Sequence, residues 1–137
     1  MKFYVAGKWQ DRENVKELQG WLIEHGHSIT VDWAEHEYSE DTDFLRRWAI
    51  LDIQGATECD VLIALLERPH DYRGLWVEMG AAIAAGKKIW LVGHAGDSCI
   101  FLHHPSIAYH FRSVAVLKII INPDSYRFIA DVPTDES

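Results

Sequence analysis

Asp60-Val61-Leu62-Ile63-Ala64-Leu65-Leu66 carries one charge, at its first position, and then six apolar residues without a break. A strand with one wet face alternates polar and apolar residues, whereas a strand covered on both faces does not. The run therefore predicts a central strand. Strands buried on both faces belong to parallel sheets packed between helices.

The flanking segments agree with that reading. Phe44 to Glu58 upstream has helical spacing, and Leu75 to Ala85 downstream predicts a helix closed by Gly86. Lys88 to Val92 follows as a strand. Toward the N-terminus, Phe3 to Ala6 is a short apolar strand ended by Gly7. Asp11 to His25 places Val15, Leu18, Leu22 and Ile23 at helical steps before Gly26. Ser28 to Trp33 is rich in β-branched residues and predicts a second strand. Glu35 to Asp43 and Glu67 to Arg73 are polar and predict loops. Toward the C-terminus, Ile107 to Phe111 predicts a last short strand and Ser113 to Ile121 a helix, ended by Asn122-Pro123. The order is β-α-β-α-β-α-β, then β-α. Such alternation implies parallel crossovers and an α/β sandwich of three layers around a mostly parallel five-stranded sheet.

A chain of 137 residues is one domain's worth, expected over residues 1–130 with a flexible tail at 131–137. Apolar residues make up 48% and charged residues 25%, a globular balance. The formal net charge of -8 speaks against binding polymeric nucleic acid, whose phosphates repel an acidic surface. Cys59 and Cys99 have no CxxC spacing and are expected as reduced thiols. No leader-like segment and no membrane-length apolar run is present, so a cytoplasmic protein without a membrane partner is expected.

In parallel α/β sheets ligands bind at the carboxyl ends of the strands. That rule points to Gly7 to Arg12, to the loop Glu67 to Gly74, and to His94 with its neighbours. Glu78 is the one charged residue of an otherwise apolar helix, expected in its first turn, where the helix dipole favours an anion. A helix apolar nearly all round is expected to be buried. A buried carboxylate is costly unless compensated, so Glu78 is either a capping group or a functional one. Asp52 shares one face with Leu45, Trp48, Gly55, Ala56 and Cys59. That face is expected to meet the core, which leaves Asp52 either a loop-holding group or a reactive one.

Arg12 either binds an anion at the strand end or serves only beside Asp11, which caps the helix. Trp9 falls in a loop at the expected mouth, where an aromatic ring suits stacking on a planar base. Trp21 and Trp48 fall on apolar helical faces and are expected in the core, while Trp33 and Trp76 are open to either role. The eight histidines have no zinc spacing, so no metal is expected. GxxxxGK[ST], GxGxxG and GxSxG are all absent, and no cofactor is expected.

Three segments together resemble the nucleoside 2-deoxyribosyltransferase family and its relatives, the nucleotide N-glycosidases. They are Tyr4-Val5-Ala6-Gly7-Lys8-Trp9-Gln10-Asp11-Arg12, Asp52 to Asp60, and Gly74-Leu75-Trp76-Val77-Glu78-Met79-Gly80-Ala81-Ala82 with Gly86-Lys87-Lys88. The resemblance implies a flavodoxin-like or Rossmann-like fold and cleavage of the N-glycosidic bond of (2′-deoxy)nucleosides or their monophosphates. It makes Glu78 the nucleophile on the anomeric carbon, Asp52 the group that holds the sugar or handles the base's proton, and Tyr4 the residue that orients Glu78. Gly7, Trp9, Arg12, Asp71 and Gly74 become substrate-binding residues. Tyr72 stands where the family often has an aspartate, one place after Asp71. A homo-oligomer is implied as well. The alternative is a module that binds a nucleoside or nucleotide without cutting it.

Overall fold

The computed structural model describes residues 1–96 and 98–122. Strands and helices alternate along it as β1 (Lys2–Ala6), α1 (Arg12–Glu24), β2 (Ser28–Ile29), α2 (Thr42–Glu58), β3 (Val61–Leu65), α3 (Arg73–Ala84), β4 (Lys88–Val92), β5 (Ile107–Phe111) and α4 (Val114–Ile121). Both the domain limit at residue 130 and the tail from Asp131 to Ser137 lie outside the described residues.

β3 is buried at all five positions, as its unbroken apolar run demands. It pairs in parallel with β1 on one side and β4 on the other. The sheet order is β2-β1-β3-β4-β5, and every pairing is parallel. β1 and β4 each begin with an exposed lysine and are buried thereafter.

From β1 the chain moves outward to β2, then returns past β1 to β3. This reversal makes the β1/β3 boundary a topological switch point, the place where such sheets open a crevice. Right-handed crossovers then place α1 on one face and α2 with α3 on the other. α4 joins the α1 face, where Lys118 of α4 pairs with Glu17 at 2.5 Å and lies over Trp21 of α1. Asp41 caps α2 by accepting from the N–H groups of Asp43 and Phe44, and Ser113 caps α4 through Val116.

Two expectations about these elements are corrected. β2 ends at Ile29 rather than Trp33. The indole of Trp33 donates to the carbonyl of Val5 at 2.6 Å, which draws residues 33–35 into a tight 3₁₀ turn over the end of β1. In addition, α3 is not buried all round. Leu75, Met79 and Ala82 face the core, while Val77 is 63% exposed on the opposite side. No helix among the described residues is long and apolar enough to cross a membrane.

Candidate active site

At the carboxyl ends of β1 and β3 lies a cavity of about 480 Å³. Small-molecule sites commonly span roughly 300–1,000 Å³. Four parts of the chain build it. The turn after β1 contributes Gly7, Lys8 and Trp9, and the segment after β2 contributes Trp33 and His36 to Ser39. The first half of α2 gives Leu45, Trp48 and Asp52. Tyr72 and the start of α3 give the last wall, with Gly74, Leu75 and Glu78.

α3 begins at Arg73, so Glu78 lies in its second turn and not its first. The free N–H groups of the helix start therefore do not compensate this carboxylate. Tyr4 does so instead, reaching up from the middle of β1 to donate its hydroxyl hydrogen to Oε2 of Glu78. Tyr4 is fully buried. Burial, and then the charges of Glu78 and Asp52, raise the pKa of its hydroxyl, which stays protonated at neutral pH.

Asp52 comes into range because α2 lies unusually close to β1. A Cβ on Gly55 would stand 2.8 Å from the Tyr4 ring and 2.8 Å from Val31. Thr30 fastens this approach by donating from Oγ1 to the carbonyl of Gly55 at 2.8 Å. One turn earlier on the same face, Asp52 meets the cavity. The expected α2 face is therefore correct in direction, but its first half faces the cavity and only its second half, through Gly55 and Ala56, meets the core.

The two carboxyls share an environment. Burial raises Glu78 to about 8, the charge of Asp52 adds to this, and the Tyr4 hydrogen bond works against it. Burial also raises Asp52 to about 6. Its Oδ1 is buried and meets no hydrogen-bonding partner among the described residues. Near pH 7 the pair thus holds about one proton between them. One acid and one carboxylate across a cavity are the equipment for splitting an acetal-like bond.

Aromatic rings line the rest. Trp9 carries the Arg12 guanidinium 4.5 Å above its ring centroid. Trp48 stacks on His36 with centroids 3.5 Å apart, and burial lowers the pKa of that imidazole. Trp33 and Tyr72 complete the set.

Of the residues singled out in the sequence, Glu78, Asp52, Gly7, Trp9 and Gly74 line the cavity, and Tyr4 supports it from below. Arg12 lies behind Trp9, where its guanidinium also donates to the Trp9 carbonyl at 3.2 Å. The Asp71 side chain pairs with Arg73 at 2.6 Å, and its carbonyl accepts from Lys8 Nζ; it does not line the cavity. Asp11 makes no capping bond to α1. His94 packs on His110, away from the cavity. Trp76 packs near Gly96 rather than at the mouth. Trp48, expected in the core, is a cavity wall. Tyr72, His36 and Tyr38 also line the cavity, and no sequence pattern marks them for it. For Trp48 the signal was present, since it precedes Asp52 by four residues on the same helix face.

A parallel sheet with a crevice at its switch point, holding two carboxyls and several aromatic rings, defines an α/β protein with a small-molecule site. The family model for nucleoside 2-deoxyribosyltransferase matches residues 3–110. The chain belongs to the nucleoside 2-deoxyribosyltransferase family, whose chemistry is glycosyl transfer or hydrolysis. Among solved structures, a 2-deoxyribosyltransferase from the psychrotolerant bacterium Bacillus psychrosaccharolyticus shares the fold, with TM-score 0.69 and 15% identity over 98% of each chain. A conserved protein from Enterococcus faecalis V583 aligns with TM-score 0.54 and 20% identity, over 67% of this chain and 62% of its own. The CMP N-glycosidase BcmB of Clostridium botulinum is 27% identical over 67% of each chain, with TM-score 0.49. No curated protein sequence matches the chain.

Proposed function

We propose that the protein cleaves the N-glycosidic bond of (2′-deoxy)nucleosides or their monophosphates through a covalent Glu78 intermediate. The observation that carries this reading is the Tyr4–Glu78 hydrogen bond on the wall of a cavity that also holds Asp52. A donor aimed at one carboxylate oxygen leaves the other oriented for attack. As the C1′–N bond weakens, positive charge grows on the sugar beside Glu78 and favours its ionised form. The single proton of the pair then rests on Asp52, which delivers it to the departing base. Glu78 closes the bond to C1′. In the second half, water or another base attacks C1′, gives its proton to Asp52, and frees Glu78. The aromatic rings around the cavity suit the planar base.

Incubation with deoxynucleosides and their monophosphates, with and without a second free base, tests the proposal by chromatography of the products. Hydrolysis or base exchange is expected, and Glu78→Ala abolishes either. A ligand bound and recovered intact under all conditions removes the catalytic reading. Turnover that survives Glu78→Ala removes the covalent step.

A further inference from the structure

Two ties join the β1–α1 turn to the β3–α3 loop, and each is flanked by a ring on the cavity wall. On the first side the order is Lys8-Trp9-Gln10-Asp11, and on the second it is His70-Asp71-Tyr72. Lys8 Nζ donates to the carbonyl of Asp71. Asp11 Oδ2 lies 3.0 Å from Nε2 of His70, and Oδ1 lies 3.6 Å from Nε of Arg68. Asp11 is only 8% exposed, ends the 3₁₀ turn that carries Trp9, and spends none of its side chain on capping α1. Asp11 Oδ1 and His70 Nε2 are both buried and make no hydrogen bond among the described residues, so the contact is one of proximity and charge. Burying a carboxylate is expensive, and the location of Asp11 therefore depends on the loop that brings the Arg68 guanidinium and the His70 ring against it. That loop is itself closed by Tyr72, whose hydroxyl donates to the carbonyl of Arg68, and the His70 ring meets the Tyr72 ring edge-on at 5.7 Å.

We propose that Asp11 and His70 are positioning residues that hold Trp9 and Tyr72 at the separation that admits the substrate's base. Neither Asp11 nor His70 lines the cavity, whereas the residues two places away, Trp9 and Tyr72, both do. The contact acts on the width of the slot and not on the carboxyl pair. It therefore controls ground-state binding, which appears in KM, and leaves kcat nearly unchanged. This inference rests on the reading of the cavity as a base site.

The test compares the unaltered chain with D11N, H70A, D11N/H70A and the exchanged pair D11H/H70D. KM and kcat are measured with deoxynucleosides, and Kd for free bases by calorimetry, with thermal melting as the fold control. Each single variant is expected to raise KM and base Kd about tenfold, with kcat within about threefold. The double variant is expected to be no weaker than the worse single, because both remove one interaction. The exchanged pair is expected to recover much of the affinity. Unchanged KM and Kd in folded D11N, or losses that add in the double variant, overturn the clamp. So does a failure of the unaltered chain to bind any free base. A chain that binds bases but cleaves no nucleoside refutes the catalytic proposal alone, since base Kd still reports on the clamp.

Discussion

Tyr4 and Glu78 stand 74 residues apart in the chain and meet through one hydrogen bond between the middle of β1 and the second turn of α3. The bond counteracts the burial that raises Glu78 to about 8, while Asp52 stands at about 6. The mechanism we propose needs one proton on the pair, so kcat/KM is expected to rise through about pH 6 and to fall through about pH 8. Tyr4→Phe removes a hydrogen bond to a charged group, an interaction of roughly 1.5–3 kcal/mol. Activity is expected to fall by about 10- to 100-fold. The upper limb of the profile moves to higher pH, because what held the Glu78 pKa down is gone. A Tyr4→Phe enzyme whose upper limb stays in place disconnects this bond from the titration of the pair.

The same carboxyl ties stability to pH. In the folded chain Glu78 keeps its proton up to about 8, whereas its ordinary value is 4.5. Between those limits the folded state binds a proton that the unfolded state has released. Stability is therefore lost as pH rises through that window. Glu78→Gln keeps the shape and an acceptor for Tyr4 but cannot ionise. Its stability gain over the unaltered chain is expected to be small near about pH 5 and to reach on the order of 3–5 kcal/mol by about pH 9. Thermal melting of both proteins across this range is the measurement. A difference that does not grow with pH contradicts a buried, proton-holding Glu78.

The parts of the architecture legible in the sequence are those dictated by burial on both faces. Val61–Leu65 could hardly be anything but a central strand, and the carboxyl-end rule already points to the loops after β1 and β3; the switch point between them needs the strand order, which only the fold shows. The rest depends on side chains meeting across the fold. Ser28 to Trp33 has strand composition, yet the indole of Trp33 bonds to Val5 and ends β2 early. Helical periodicity showed that Trp48, Asp52 and Gly55 share a face, but core and cavity impose the same period. Spacing alone therefore places Trp48 in the core, whereas the structure makes it a cavity wall. The partners of Arg12 and Asp71, namely Trp9 and Arg73, are matters of side-chain direction that no spacing encodes.

Gly55 marks where α2 touches the sheet. An added methyl there sits 2.8 Å from the Tyr4 ring and from Val31, too close for either to remain in place. Gly55→Ala is expected to lower stability by about 1–3 kcal/mol, the usual range for overpacking, despite alanine's better helix propensity. It also pushes Asp52 away from the cavity, so activity falls with stability. Gly20 in α1 has nothing within 4 Å of such a methyl. Gly20→Ala is accordingly expected to stabilise by about 0.5–1 kcal/mol with activity unchanged. Denaturant unfolding of the two variants separates crowding from propensity; equal effects at both sites would deny the close approach of α2.

Trp48 and Trp21 offer a contrast between a ring on the cavity and a ring off it. Trp48 lies on the α2 face one turn before Asp52, and its stack on His36 turns it into a wall of the cavity. Trp21 stacks on His25 at 4.0 Å on the α1 face of the sheet, outside the cavity. Base–aromatic stacking is worth about 1–3 kcal/mol by alanine substitution. Trp48→Ala is therefore expected to raise KM by roughly 5- to 150-fold. Trp21→Ala lowers the melting temperature through lost packing and leaves KM where it was. Steady-state kinetics on both variants, at a temperature where each stays folded, decides the matter. If Trp21→Ala raises KM as much as Trp48→Ala does, stacking in the cavity is not what binds the base, and the aromatic wall loses its assigned task.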